Sequence, residues 1–217
     1  MVAVINPNDF RIRTGIYPKV INIGNTNSRI VVIDDFFLYP DKVREYALNC
    51  KYFKDPEIPR NPGYINYFGF NEMQVLKLTG MLKESFMGDF RTSHSSFAPV
   101  VSLQMYDEIG TLMPHVDYFH YAGICSLNMI GTNHDEKSSG TNFHRYKKTG
   151  EEYTELANYR HKEILNSEPD DWEVYHTQYH KYNQYIFYES ALFHSAYWDK
   201  STWYSDDPRL TFNTFTW

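Results

Sequence analysis

The sequence predicts a mainly β protein of the α+β class, a double-sheet jelly roll with supporting N-terminal helices. Strand-length apolar runs rich in β-branched residues recur from residue 97 to the C-terminus, and two segments with helical spacing precede them. Aromatic residues, which favour strands, make up 18% of the 217 residues. Early helices packed on a many-stranded unit are typical of a jelly roll, and the length suits one domain spanning residues 1–217.

The N-terminal third is predicted to hold the helices. Residues 1–27 are expected to form a peripheral arm, and residues 28–38 form a strand because their apolar run is β-branched. A helix begins at Pro40 and Asp41 and continues to about Cys50, since proline suits the first turn and an early aspartate complements the helix dipole. A long loop at 55–71, rich in proline and aromatic residues, then leads to a second helix at 72–88.

The rest of the chain is predicted to supply most of the strands. Residues 131–182 are expected to be an insertion or elaboration, with a turn at Ser138, Ser139 and Gly140 and helical character over 151–165. Four segments have strand patterns: 100–106, 122–130, 182–188 and 210–217.

Composition argues against several functional classes. The net charge is −6 and no run of lysine and arginine exceeds two residues, so a nucleic-acid partner is not expected. The two cysteines, Cys50 and Cys125, are far apart and predict no disulfide framework. Neither a signal peptide nor an apolar run long enough to span a membrane is visible, so we expect a cytoplasmic protein without a membrane partner.

One constellation of residues carries chemistry. His115 and Asp117 are followed much later by His194, and these are the ligand types of the 2-His-1-carboxylate facial triad that binds non-haem Fe(II). On a strand, residues i and i+2 point to the same face, so His115 and Asp117 can grip one side of a metal. Arg209 follows, and a guanidinium can clamp a carboxylate in a bidentate fork.

The surrounding residues resemble the Fe(II)/2-oxoglutarate-dependent dioxygenase superfamily, in particular its prolyl-hydroxylase-like branch. The similarity covers roughly residues 28–217 and departs from the family pattern at Ser139-Gly140, where the family has a Gly-Gly pair. Four segments carry it: Tyr106 to Asp117 (Tyr…Gly…Pro-His-x-Asp), Asn183 to His194, Pro208-Arg209-Leu-Thr211, and Val31 to Tyr39 before Pro40.

The resemblance implies a double-stranded β-helix fold and a specific chemistry. Fe(II) is held by His115, Asp117 and His194, and 2-oxoglutarate chelates it while its distal carboxylate meets Arg209. Thr211 and Tyr106 are the candidate hydroxyl partners of that carboxylate, and Asn128 either faces the cofactor or makes structural hydrogen bonds. O₂ binds the remaining position. Family halogenases lack the carboxylate, so an aspartate at 117 favours hydroxylation of a small-molecule or peptidyl substrate.

Two other classes of function remain open. A non-catalytic jelly-roll module could retain these residues as a relic, and a metal-dependent cupin-type enzyme would bind metal without needing Arg209 for 2-oxoglutarate. Among the other histidines, His120 is expected in a solvated loop rather than at the edge of the pocket, and His144 lies after the His-x-Asp segment with no assigned role. His176 and His180 have the spacing of one helix face, but no glutamate of the HExxH kind supports a second metal site.

Overall fold

The computed structural model describes residues 7–52, 64–67, 100–104, 113–117, 119–129, 137–154, 166–199 and 209–216. They form one α-helix, two 3-10 turns (Pro7–Phe10 and Pro169–Asp171) and strands of two antiparallel sheets. No helix in this part of the chain is long and apolar enough to cross a membrane. The elements are β1 Lys19–Ile23, β2 Ser28–Ile33, α1 Pro40–Asn49, β3 Tyr64–Tyr67, β4 Val100–Gln104, β5 Tyr121–Ser126, β6 Ser139–Tyr146, β7 Trp172–Tyr179, β8 Tyr185–Glu189, β9 His194–Trp198 and β10 Arg209–Thr216.

The two sheets confirm the predicted mainly β, jelly-roll fold class. The larger sheet has seven strands in the order β1-β2-β8-β5-β10-β4-β3, and the smaller has the order β7-β6-β9. Every strand pairing in both sheets is antiparallel. Because strands that are distant in sequence lie side by side, residues far apart in the chain meet between the sheets.

Each face of the larger sheet buries its own core. One face packs against α1 and the first 3-10 turn, where Val43 and Ala47 of the helix are fully buried. The other face contacts the smaller sheet through Phe143 of β6, whose ring meets that of Tyr188 edge-on at 5.1 Å. Side chains alternate along a strand, so successive residues of β8 and β10 serve the two cores in turn. The second face, between the sheets, is the one that positions the candidate site.

The N-terminal arm predicted at residues 1–27 lies against this framework from residue 7 onward. Phe10 and Ile12 are buried in the helix-side core, and β1 forms the edge of the larger sheet by pairing with β2. Gly24, in the turn between these two strands, has a φ of +65°, and a Cβ there would lie 2.2 Å from Glu152 Oε2. Glycine at this position therefore lets the turn sit directly on a buried carboxylate.

Several predicted elements are corrected by the structure. The segment predicted as a loop at 55–71 contains β3, and the predicted turn at Ser138 to Gly140 runs into β6. Inside the predicted elaboration at 131–182, β6 and β7 supply two of the three strands of the smaller sheet. His176 lies on β7, so it does not share a helix face with His180. The predicted helix at 72–88, and residues 155–165 of the other predicted helix, lie outside the described residues.

Asn183 fastens the turn before β8 to the segment that leads into α1. Its Oδ1 accepts the N–H of Phe37 at 2.8 Å and its Nδ2 donates to the Phe37 carbonyl at 3.0 Å, both in buried surroundings. Its φ is +58°, a left-handed conformation that asparagine and glycine tolerate better than other residues. This single side chain therefore substitutes for a pair of strand hydrogen bonds.

Two replacements of Asn183 separate the contribution of its side-chain hydrogen bonds from that of its left-handed backbone conformation. Asn183→Gly keeps the backbone conformation but leaves two buried Phe37 groups without their partners, and we expect a loss of about 1–3 kcal/mol of unfolding free energy. Asn183→Ala adds a left-handed alanine and should lose about 1 kcal/mol more. Urea unfolding of both variants measures this, and losses below about 0.5 kcal/mol in both would contradict it.

Candidate metal centre

His115 and His194 lie directly opposite each other on adjacent backbone segments. The N–H of each donates to the carbonyl of the other, both at 2.9 Å, which makes an isolated antiparallel bridge at the edge of the smaller sheet. Residues that exchange both bonds in this way present their side chains on the same face. The two imidazole rings are accordingly 4.5 Å apart between centroids.

The backbone carbonyl two residues earlier in the chain orients each of the two imidazoles. Nδ1 of His115 lies 3.2 Å from the Met113 carbonyl, and Nδ1 of His194 lies 2.8 Å from the Leu192 carbonyl. A carbonyl only accepts, so each Nδ1 carries a hydrogen, and Nε2 is the nitrogen that holds the lone pair when the imidazole is neutral. This is the tautomer that a metal-binding histidine needs, with the second nitrogen held by a backbone oxygen.

Asp117 faces the Nε2 atoms of both histidines. Its Oδ2 is 3.2 Å from His194 Nε2 and its Oδ1 is 3.9 Å from His115 Nε2. The ligand atoms of the three residues all lie within 4.8 Å of one another. A metal about 2.1 Å from each ligand requires neighbouring ligand atoms about 3.0–3.4 Å apart, so the Asp117–His194 pair already fits and the Asp117–His115 pair needs an adjustment at His115. The side chain of His115 is 41% exposed and has room to make it.

Charge couples Asp117 to His194. Burial acts to raise the pKa of the Asp117 carboxyl, but the charge and hydrogen bond of His194, together with His115, outweigh it and hold that pKa below its usual value. Burial acts to lower the pKa of His194, and Asp117 reverses this so that the pKa is raised. The carboxylate is thus prepared to neutralise a positive charge at this point, whether from an imidazolium or from a metal cation.

Arg209 and Thr211 lie at the start of β10, on the face between the sheets. Thr211 pairs with Ser126 of β5, and further along the same strands Phe215 pairs with Ala122, which belongs to the inter-sheet core. Residues two apart on a strand share a face, so Arg209 and Thr211 point to that core as well. Both are buried, with 4% and 1% of their surface exposed.

The surroundings of Arg209 suit a bound anion. Burial lowers the pKa of its guanidinium to about 10, so its positive charge is destabilised inside the protein. A carboxylate in contact with it would lower that cost. The Thr211 hydroxyl is also buried, and it has no hydrogen-bond partner within the part of the chain that the structure describes.

Tyr188 lies between the triad and Arg209, and sequence reasoning missed it. Its ring meets the His194 ring edge-on at 5.0 Å. Burial raises the pKa of its phenol well above the usual value; the Asp117 charge acts in the same direction and the Arg209 charge opposes it. Tyr188 lies two residues after Ile186 on β8, the strand that precedes His194, so the two side chains share a face. This alternation is the sequence pattern that could have identified Tyr188.

His144, to which the sequence assigned no role, is buried near the triad, whereas His120 is exposed as expected. His120 is exposed, but His144 is 7% exposed and its Nε2 lies 2.8 Å from the Ser195 hydroxyl. Burial, followed by the charges of His194 and His115, lowers the pKa of His144 to about 4. It is therefore a neutral imidazole behind the triad rather than a solvated side chain.

The two remaining predicted cofactor residues have different outcomes. Asn128 uses its Oδ1 to accept the N–H of Leu210 at 2.7 Å, just beyond the last residue of β5. It thereby continues the β5–β10 ladder next to Arg209, as its structural role predicts, and its contact with the cofactor stays a prediction. Tyr106 lies outside the described residues.

Several solved structures resemble this chain. A prolyl-4-hydroxylase from Pseudomonas putida aligns with 88% of this chain and 93% of its own, at 12% identity and a TM-score of 0.48. The non-haem alpha-ketoglutarate-dependent epimerase SnoN from nogalamycin biosynthesis aligns with 87% and 77%, at 10% identity and a TM-score of 0.48. HygX from Streptomyces hygroscopicus, with nickel, 2-oxoglutarate and hygromycin B bound, aligns with 86% and 82%, at 12% identity and a TM-score of 0.46.

No curated protein matches the chain by sequence. The family model of DUF6445, described as a family of unknown function, matches residues 14–216. Because that match spans almost the whole of the 217 residues, the chain belongs to the DUF6445 family.

Proposed function

We propose that this protein is an Fe(II)- and 2-oxoglutarate-dependent dioxygenase that hydroxylates an unactivated C–H bond of a small-molecule or peptidyl substrate. The observation that carries the proposal is the convergence of His115, Asp117 and His194 with both imidazoles presenting Nε2. Two imidazoles and one carboxylate on one side of a metal leave positions open for a chelating co-substrate and O₂. The same donors also accept Mn, Co, Ni or Zn, so the choice of iron follows the sequence resemblance.

The buried cation on β10 supports 2-oxoglutarate as the co-substrate. A 2-oxo acid can chelate a metal with one end, and the second carboxylate then needs a cation at a fixed distance. Arg209 and Thr211 lie on the inter-sheet face, and Tyr188 links them spatially to the triad. The Thr211 hydroxyl, which has no hydrogen-bond partner among the described residues, would donate to a carboxylate bound there.

The chain's own residues bind and orient. When bound, Fe(II) and 2-oxoglutarate supply the oxidising chemistry that releases succinate and CO₂ and oxidises the substrate. His115, Asp117 and His194 hold the metal on one side, and the Met113 and Leu192 carbonyls fix the tautomer of the two histidines. Arg209 fixes the far end of the co-substrate, and the Tyr188 ring fills space beside His194 and excludes water.

Anaerobic visible spectroscopy tests the proposal. The metal-free protein is titrated first with Fe(II) and then with 2-oxoglutarate, and a metal-to-ligand charge-transfer band that requires both additions is expected. Iron binding without the band would favour a metal enzyme that does not use 2-oxoglutarate. Failure to bind Fe(II) would favour a non-catalytic module.

Arg209→Ala should weaken 2-oxoglutarate binding without preventing metal binding. Removing one partner of a buried, hydrogen-bonded charge pair costs about 2 kcal/mol or more, so we expect Kd to rise by at least about 30-fold. The titration of the charge-transfer band measures it. Arg11→Ala removes an exposed arginine that contacts Tyr39 and should leave Kd unchanged. Equal Kd values for the Arg209→Ala variant and the parent protein would remove 2-oxoglutarate from the proposal.

A further inference from the structure

A second polar residue, His180, is buried beside Arg209. It follows the last residue of β7 and is 6% exposed. Its backbone N–H donates to the Ser139 carbonyl at 2.9 Å, so the ladder between β6 and β7 continues to this point and fixes the main chain. His180 lies near enough to Arg209 for the guanidinium charge to act on its imidazole.

Thr141 of β6 holds the His180 ring. The His180 Nε2 and the Thr141 hydroxyl are 3.0 Å apart, and Thr141 is 1% exposed. The other ring nitrogen, Nδ1, is buried and has no hydrogen-bond partner among the residues that the structure describes. A buried polar atom left without a partner costs about 1–3 kcal/mol, which a ligand oxygen at this position would recover.

Gly140 brings the two strands close enough for this contact. A Cβ at Gly140 would lie 2.5 Å from the Gln178 carbonyl oxygen, a separation that a real side chain could not adopt. The sequence therefore uses glycine where β6 passes the backbone of β7. The close approach sets Thr141 and His180 side by side at the end of the strand pair.

The His180 imidazole is neutral. Burial, followed by the charge of Arg209, lowers its pKa well below the usual value. A neutral imidazole has one N–H donor and one acceptor nitrogen. When the Thr141 hydroxyl donates to Nε2, the hydrogen of His180 is on Nδ1, and the ring then holds a buried donor that none of the described residues accepts.

We propose that His180, oriented by Thr141, donates its Nδ1–H to the same carboxylate that Arg209 binds, so that the two residues form one carboxylate-binding site. This rests on the proposed function, because the carboxylate is the distal one of the 2-oxo dicarboxylic acid. His180 then helps to select a dicarboxylate over a 2-oxo acid that ends in a methyl group. A neutral donor adds to recognition without adding a second buried charge.

The test compares two 2-oxo acids on the Fe(II)-loaded protein under anaerobic conditions. 2-Oxoglutarate has the distal carboxylate, whereas 2-oxopentanoate has the same chelating end and lacks it. His180→Ala should raise the Kd of 2-oxoglutarate about tenfold, the size expected for a hydrogen bond to a charged group, and leave the Kd of 2-oxopentanoate unchanged. Equilibrium titration of the charge-transfer band gives both constants.

Replacing His180 with an amide side chain shows which of its two ring nitrogens donates to the carboxylate. The amide of asparagine reaches the position of Nδ1, and that of glutamine reaches the position of Nε2. His180→Asn should therefore keep most of the affinity for 2-oxoglutarate, and His180→Gln should not. Thr141→Val removes the hydroxyl at constant shape and should raise the Kd of 2-oxoglutarate in the same direction as His180→Ala. His176→Ala, on the same β7 segment, is the matched control and should leave both constants unchanged.

The outcomes separate this inference from the proposed function. If Arg209→Ala changes the ratio of the two Kd values and His180→Ala does not, the role of His180 is wrong and the proposed function stands. If neither variant changes the ratio, the site does not bind a distal carboxylate. A lower thermal midpoint for His180→Ala with an unchanged ratio assigns His180 and Thr141 a structural role. If His180→Ala does not fold, the His180→Asn and His180→Gln pair decides the question.

Discussion

Asp117→Ala is expected to abolish substrate oxidation and to weaken Fe(II) binding by at least about 100-fold. Changing a residue that merely supports a metal ligand already costs about 10–100-fold in affinity, and Asp117 would contact the metal itself. It also supplies the negative charge that offsets the cation, since its pKa lies below the usual range when the two histidines face it. Fe(II) titration and succinate release measure the two effects.

Asp170→Ala is the matched control for this variant. Asp170 is an exposed carboxylate in the second 3-10 turn and is not one of the three clustered ligands, so its loss should leave metal affinity and turnover unchanged. Undiminished succinate release from Asp117→Ala would contradict the assignment of this residue as a ligand. Retained iron binding combined with lost turnover would instead confine its role to the reaction.

The triad could be predicted because its signal is a set of residue types in order. His115 and Asp117 two positions apart, with His194 and Arg209 following, need no knowledge of the sheets. The structure brings these ligand atoms together through the bridge between His115 and His194. That bridge joins two segments that are distant in sequence. No local sequence pattern predicts which backbone segments will pair in this way.

The smaller sheet could not be predicted from periodicity. β6 is interrupted by a register shift between Phe143 and His144, which breaks the alternation of period two. The apolar residues of β7 do not alternate regularly with polar ones, and one of them, Val174, is 49% exposed. Its strand character comes from pairing with β6 rather than from its own sequence. Apolar β2 and β8 follow the expected pattern because they are buried.

The polar residues around Arg209 also differ in whether the sequence alone identifies them. The sequence identifies Thr211 as a candidate because it lies two residues after Arg209 on one strand. In the structure both side chains are buried on the same face. His180 and Thr141 acquire their contact only because Gly140 lets two strands approach closely. Local sequence therefore identifies residues that share a strand with a motif, and tertiary pairing is needed for those that do not.

Glu152 is a buried carboxylate that sequence reasoning did not find, and its removal should have the largest effect on stability. Its side chain is fully buried, and Arg145 donates to Oε1 through Nε at 3.0 Å and through Nη2 at 2.5 Å. It also accepts the N–H groups of Asn25, at 2.9 Å, and Thr26, at 3.3 Å, in the turn between β1 and β2. One carboxylate thus joins the N-terminal arm to the smaller sheet.

Glu152→Gln should lower the free energy of unfolding by about 2–4 kcal/mol at pH 7. The amide keeps the shape, but Arg145 loses its buried anion and the turn faces an N–H group where it had an acceptor. Burial acts to raise the pKa of Glu152, but the Arg145 and turn hydrogen bonds outweigh it, so the pKa in the folded protein is lowered. Urea unfolding at a series of pH values measures both effects.

The pH dependence distinguishes the charged interaction from lost packing. Because the folded pKa lies below the unfolded one, the charge-dependent stabilisation is complete above the unfolded pKa of about 4.3 and is lost as pH falls through the folded pKa. The difference between the parent protein and Glu152→Gln should therefore shrink below about pH 4, whereas a packing defect would persist. Glu151→Gln, an exposed neighbour that contacts Thr149, should stay within about 0.5 kcal/mol of the parent at every pH. A Glu152→Gln variant as stable as Glu151→Gln would mean that the β1–β2 pairing and the burial of Phe10 and Ile12 hold the arm without help from Glu152.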